Sequence, residues 1–297
     1  MSGTWYILPT PFAEDGALDH ASLRRLVEAA IDWGVDGLAA MGVMAEPTTL
    51  TAEERETALR TIFDAAAGRA PVIVGCSSTS QGQSSLLIAR ARELGAMAAM
   101  VAAPPLLRNV DLLPGFFAGL AKAGLPVVIQ DEPAATGVLV PVSVLVDCAE
   151  ASGSNTVKLE DPPTPPKIAR LLERRPGLSV FGGLGGVAAL SELRRGACGT
   201  MTGFAYPEIL RAVRVALTAG QDRAAAILFD RYLPLIQFEA QPVIGLAVRK
   251  EVLRRRGAIA SNLTRGLVPR LDRATAAELT DVLDRLGMVP GLARFEP

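Results

Sequence analysis

The run Thr156-Val157-Lys158-Leu159-Glu160 puts an amine and a carboxylate two residues apart, with apolar residues alternating between polar ones. Alternation is the period of a β-strand, so Thr156, Lys158 and Glu160 share one face and Val157 and Leu159 the other. An unprotonated lysine amine attacks a ketone to form an imine, and the cationic imine then draws electrons from a bond one carbon away. Free lysine titrates near ~10.4, so this chemistry needs an amine that is desolvated or set near positive charge. Val43, Met44 and Leu106 are candidates for an apolar lining around it. A carboxylate against the amine would work the other way, because it favours the ammonium form. The expectation is therefore that Glu160 sits off the amine, near the substrate's C3 or C4, and moves protons there. Two blander readings compete: Lys158 pairs with Glu160 on an edge strand, or Glu160 bridges to a loop arginine.

The elements that must position this lysine are legible as a repeat. Short apolar runs at Trp5–Leu8, Gly37–Met41, Pro71–Gly75, Ala98–Ala102, Pro126–Gln130, Thr156–Glu160, Leu178–Phe181 and Gly199–Thr202 alternate with amphipathic segments. Leu23, Leu26, Val27 and Ala30 form one stripe at helical spacing, and Leu86, Leu87, Ala91 and Leu94 another. Gly34, Gly68, Gly95, Gly124 and Gly196 read as helix stops just ahead of the next strand. Eight strand–helix units predict an α/β fold of one closed (β/α)8 barrel, a TIM barrel, over residues 1–220. Residues 221–297 read as a C-terminal helical appendage, with helices expected over Arg223–Ile236, Val243–Arg256 and Ala274–Leu286; Ile209–Ala219 closes the barrel. The run Arg254-Arg255-Arg256 reads as a solvated helix end.

Composition narrows the partners. The chain has 297 residues, 49% of them hydrophobic, and a net charge of −1. There is no basic excess to neutralise phosphates, which argues against nucleic acid. No apolar run approaches the ~20 residues of a membrane span. Three scattered cysteines and an N-terminus that runs straight into Trp5-Tyr6-Ile7-Leu8 predict reduced thiols and a cytoplasmic location. A single histidine, His20, precludes a multi-histidine metal site and reads as a solvated first-turn residue. A carboxylate-only magnesium site remains as a third chemistry.

Barrel active sites lie at the C-terminal ends of the strands. There the chain carries Gly42-Val43-Met44-Ala45-Glu46, Gln130-Asp131-Glu132-Pro133, Lys158 with Glu160, the cluster Gly182-Gly183-Leu184-Gly185-Gly186, and Thr202-Gly203-Phe204-Ala205-Tyr206. With Thr10-Pro11-Phe12, Thr49-Leu50-Thr51 and Thr136-Gly137, these segments resemble, in order and spacing, the class I pyruvate-dependent lyases grouped around dihydrodipicolinate synthase and N-acetylneuraminate lyase. The resemblance implies the barrel, a covalent imine on Lys158 with no cofactor and no metal, a small 2-keto acid as partner, and a homo-oligomer, tetramer or dimer. It does not fix the substrate.

The departures from that family sharpen the expectation. Its two threonines fall on Val43 and Met44 and its second glycine on Ala45. Its strand-five tyrosine falls on Gln130, a following arginine on Ala135, and a tyrosine pair on Pro105 and Leu106. The hydroxyl relay of the synthase is therefore absent, and a glutamine cannot exchange a proton near neutral pH. These substitutions argue against dihydrodipicolinate synthase activity itself.

The candidate catalytic residues are Lys158, Glu160 and Gln130; the amide of Gln130 either donates to a substrate oxygen or is a satisfied lumen group. The candidate substrate-binding residues are Val43 and Met44 through their backbone N–H groups, Gly182 and Gly183 through close backbone approach, and Thr202. Asp131 and Glu132 read as loop charges, Glu46 as a cap or anchor for the helix after it, and Tyr206 as a packing residue that could replace the missing phenol. Two functions follow: a Schiff-base lyase that cleaves a 2-keto acid to pyruvate or dehydrates a 2-keto-3-deoxy sugar acid, or a barrel that has lost turnover and survives as a ligand-binding or regulatory protein.

Overall fold

The computed structural model describes residues 1–266 and 268–297. Eight parallel strands close in sequence order: β1 (Gly3–Ile7), β2 (Gly37–Ala40), β3 (Val72–Gly75), β4 (Ala98–Ala102), β5 (Val127–Asp131), β6 (Thr156–Leu159), β7 (Ser179–Gly182) and β8 (Gly199–Thr202). β8 pairs back onto β1, with Trp5 opposite Met201. Each run read as a strand is one, with its ends displaced by at most two residues, and the fold is a (β/α)8 barrel.

Strand alternation splits the apolar residues into two layers. Val157 and Leu159 face the helices and join the large outer core, while the lumen is filled by Trp5, Ile7, Ile73, Met100, Phe181, Met201 and their neighbours. Trp5 and Phe181 meet edge to face across the lumen at 6.4 Å between centroids. The lumen is thus a packed plug, and a cavity lies at its mouth. The glycines read as helix stops all adopt positive φ; Gly34, at +83°, turns the chain out of the helix His20–Asp32 toward β2. His20 opens that helix and is exposed, as expected.

After β8 the helix Pro207–Thr218 packs against β1 and β8, and helices Asp222–Glu239, Gly245–Arg255 and Arg273–Arg285 follow. One expectation fails here. Arg256 is not a solvated helix end: it is 1% exposed, stacked between Trp33 and Tyr206 with its guanidinium 3.8 and 4.2 Å from their ring centres. It also donates to Glu208 at 2.6 Å and to the Ala205 carbonyl at 2.6 Å. A planar guanidinium suits this stacked, bidentate niche where an ammonium would not. Tyr206 is therefore a packing residue, set against Arg256 and Phe295.

Candidate active site

Lys158 sits on β6 directly opposite Gln130 on β5, so both side chains enter the barrel mouth from adjacent strands. Glu160 follows the last residue of β6 and is held to β5 by its own N–H, which donates to the Asp131 carbonyl at 2.8 Å. Its carboxylate turns back over the strand end. Glu160 Oε2 lies 2.9 Å from Lys158 Nζ and accepts from Gln130 Nε2 at 2.8 Å, while Oε1 accepts from the Leu184 N–H at 3.3 Å. The expectation that Glu160 sits off the amine is overturned. Residues two apart share a face of the strand, and two long side chains close the gap between them. The ion pair is also not on an edge strand, since a closed barrel has none.

Lys158, Glu160 and Gln130 line a cavity of about 410 Å³ together with Val43, Met44, Thr202, Glu132 and Arg249. Val43 and Met44 open the short 3-10 turn Val43–Ala45 after β2. Their N–H groups are the first of that turn and have no intrahelical partner. Thr202 presents its side chain at the end of β8, where its hydroxyl accepts from the Phe204 N–H at 2.9 Å. Leu106, expected in the lining, is instead 81% exposed and outside the cavity.

Gly182 and Gly183 do not line the cavity. Their bare backbone serves a different purpose from close approach to a ligand. A Cβ on Gly183 would fall 2.4 Å from Glu160 Cγ, and one on Gly182 would fall 1.8 Å from Glu192 Oε2. The two glycines make room for two carboxyl groups, one on each side of the strand end. Glu192 is buried, takes a hydrogen bond from the Thr164 hydroxyl, and is pushed up to about 7 by burial.

Three carboxylates read otherwise from sequence change roles. Asp131 is no loop charge: it is 1% exposed and 2.6 Å from Lys167 Nζ, and burial raises its pKa to about 6 against the pull of Lys167. Glu132 lines the cavity, and burial, with the charge of Glu160 adding to it, pushes its carboxyl up to about 7. Glu46 does not cap the following helix; Thr51 and Glu54 form that capping box. Glu46 instead takes Lys250 Nζ at 2.6 Å and the N–H groups of Arg265 and Gly266 at 2.7 and 2.8 Å, tying the turn after β2 to the C-terminal segment.

Sequence reasoning missed Arg249 and Glu132 as lining residues. A signal existed for each. Arg249 is a cation set within the apolar face of Leu246, Val248, Val252 and Leu253, and Glu132 lies just beyond a strand end at the mouth.

A closed barrel with a lysine–carboxylate pair at its C-terminal mouth defines a class of barrel enzymes, and comparison with known proteins gives the family. The model of the dihydrodipicolinate synthetase family matches residues 1–285. The chain belongs to that family and is an enzyme of its lyase class. It is 33% identical over 293 residues to L-2-keto-3-deoxyarabonate dehydratase of Azospirillum brasilense, covering 96% of this chain and 94% of the relative. It is 35% identical over 234 residues to a 4-hydroxy-tetrahydrodipicolinate synthase of Xanthomonas axonopodis pv. citri, covering 76% of each. The solved dihydrodipicolinate synthase of Rhodopseudomonas palustris superposes with a TM-score of 0.91 at 33% identity, over 96% of this chain and 97% of that one.

Proposed function

We propose that the protein dehydrates a 2-keto-3-deoxy sugar acid through an imine on Lys158. The observation that carries the reading is the Gln130–Glu160–Lys158 cluster: the nucleophile's ion-pair partner in the cavity is a carboxylate, held in place by two further donors. Before attack the Lys158 ammonium must lose a proton, and Glu160 is the group in contact to take it. Amine addition to the C2 carbonyl gives a carbinolamine; Glu160 returns its proton to the departing hydroxyl, and loss of water leaves the cationic imine and an ionised Glu160. A proton then leaves C3 to Glu160, the electron pair forms the enamine, and the enamine expels the C4 hydroxyl. Glu132, whose carboxyl titrates near neutrality, is placed to give that hydroxyl its proton, so that it leaves as water. Hydrolysis of the imine frees Lys158, and the net change is loss of one water.

Two features favour dehydration over carbon–carbon cleavage. The first is the similarity to a dehydratase over 96% of the chain. The second is a pair of carboxyl groups, Glu160 and Glu132, which can serve as base and acid in one elimination. Gln130, which cannot exchange a proton, then orients Glu160. The neighbouring segments that carry Leu106 and Leu139, 81% and 69% exposed, offer apolar surface for pairing with a second copy, in keeping with a dimer or tetramer.

The test is product analysis. Each member of a set of 2-keto-3-deoxy pentonates and hexonates is incubated with the protein and followed by proton NMR. The reading predicts loss of the C4 carbinol signal without pyruvate for at least one acid. Pyruvate release would assign cleavage instead, and no change with any acid would favour the ligand-binding barrel.

A further inference from the structure

Arg249 reaches from the helix Gly245–Arg255 to the turn Val43–Ala45, which follows β2, four strands around the barrel from Lys158. Its side chain is 12% exposed and lines the cavity. Its donors are poorly used. Nη1 lies 2.9 Å from Met44 Sδ, and a thioether is a weak acceptor. Among the described residues, Nε is buried with no hydrogen-bond partner, and the nearest carboxylate oxygen, Glu239 Oε2, is 3.7 Å away. The fold also makes room for the guanidinium: a Cβ on Gly185 would fall 2.6 Å from Nη2.

A cation kept out of water with unfilled donors is costly unless something fills them. The same place presents the N–H groups of Val43 and Met44, which open the turn. It is also where this chain carries Val43 and Met44 in place of the two threonines of the family it resembles, so two hydroxyl donors are missing. Three observations thus converge on one point: under-used guanidinium donors, free backbone N–H groups, and a deficit of side-chain donors.

We propose that Arg249 is the carboxylate anchor of this site. Its guanidinium stands in for the missing hydroxyls and, with the Val43 and Met44 N–H groups, binds the C1 carboxylate of the keto acid so that C2 faces Lys158. A guanidinium suits a carboxylate because its planar fork donates two parallel hydrogen bonds. The assignment rests on the keto-acid reading above and deepens it: the substrate must carry a carboxylate next to its ketone, and an uncharged ketone gains nothing from Arg249.

The experiment compares pyruvate with hydroxyacetone, an uncharged ketone, on the full chain. Borohydride trapping gives the concentration of each needed for half-maximal adduct. Arg249→Leu is expected to raise that concentration for pyruvate by about tenfold or more while leaving hydroxyacetone unchanged, with Arg249→Lys in between. Because Arg249→Leu leaves Glu239 buried without its cation, Arg249→Leu/Glu239→Gln is measured beside it, and thermal melting confirms that each variant folds. An equal rise for both ketones, or no rise for pyruvate, overturns the anchor. Loss of affinity for sugar acids with pyruvate unaffected also overturns it, by placing Arg249 at the far end of the substrate. Should the wild type form no adduct, the imine reading fails separately, and calorimetric binding decides the anchor. A wild-type preference for pyruvate over hydroxyacetone that Arg249→Leu abolishes sustains it, and no preference refutes it.

Discussion

Three lysines are buried in this chain, and the one at the barrel mouth has different surroundings from the two packed among helices and loops. Lys158, Lys167 and Lys250 are 5%, 5% and 0% exposed. Each meets a carboxylate. Lys167 spends all three of its donors, on Asp131 at 2.6 Å, Asp161 at 2.7 Å and the Val140 carbonyl at 2.8 Å. Lys250 donates to Glu46 and to the Leu263 carbonyl at 2.6 and 2.7 Å and sits 4.5 Å from the centre of the Phe12 ring. Among the described residues, Lys158 has one ion-pair partner, Glu160 at 2.9 Å, and it faces the cavity. Burial lowers the pKa of Lys250, with Glu46 opposing, but its donors are taken up by Glu46 and Leu263. Unspent donors and an open approach separate Lys158 from the other two.

The contrast breaks most visibly at the lysines themselves. Lys158→Ala is expected to abolish turnover and leave melting nearly unchanged, because Glu160 lines the open cavity, where water can take the ammonium's place, and keeps Gln130 and the Leu184 N–H as donors. Lys250→Met should do the reverse to stability. It leaves Glu46, 6% exposed, without its cation, and a broken buried pair costs about 3–5 kcal/mol by urea unfolding. A Lys158→Ala protein that turns over, or a Lys250→Met protein as stable as the parent, would erase the distinction.

Next in size is the carboxylate at the mouth. Glu160→Gln is expected to lower kcat by about 10²- to 10⁴-fold while the protein still folds, since an amide holds the position but transfers no proton. A kcat within a factor of about two of the parent would remove Glu160 from the proton path.

The smallest effect is in the wall. Glu192 is pushed up to about 7 by burial, with the Thr164 hydroxyl opposing and the charge of Glu160 adding to the shift. A glutamate in the unfolded chain titrates near ~4.3. Between these values the folded chain holds a proton that the unfolded chain has lost, so stability falls as pH rises, and the penalty is complete above about 7. Glu192→Gln removes a charge that the site disfavours. Its stability gain over the parent should therefore be larger at pH 8 than at pH 5 in paired denaturation curves; an equal gain at both would show that Glu192 does not titrate in this range.

Local pattern made the barrel legible, and distance in sequence hid much of the site. Alternation along Thr156–Glu160 gave the facing of Lys158, Val157 and Leu159, and parallel pairing then set Gln130 beside the lysine. Glu160 was misplaced because the reading considered only what an amine needs at the moment of attack. In the structure the carboxyl group lies 2.9 Å from the Lys158 nitrogen, with Gly183 clearing space for its stem. The partners of Glu46, Arg249 and Arg256 were invisible for another reason. Glu46 meets Lys250 204 residues away, and Arg249 meets Met44 205 residues away. No periodicity within one helix reports such a contact. Arg256 looked like a helix end because it ends a run of three arginines, yet only Arg256 turns inward, onto Trp33 and Tyr206.

The most direct test of the account is to trap the imine and find which lysine carries it. The protein is incubated with pyruvate, and separately with each 2-keto-3-deoxy sugar acid, reduced with borohydride, and analysed by intact mass and peptide mapping. A single adduct is expected, on Lys158, with Lys167 and Lys250 unmodified. No adduct with any keto acid, or an adduct on Lys167 or Lys250, would contradict it.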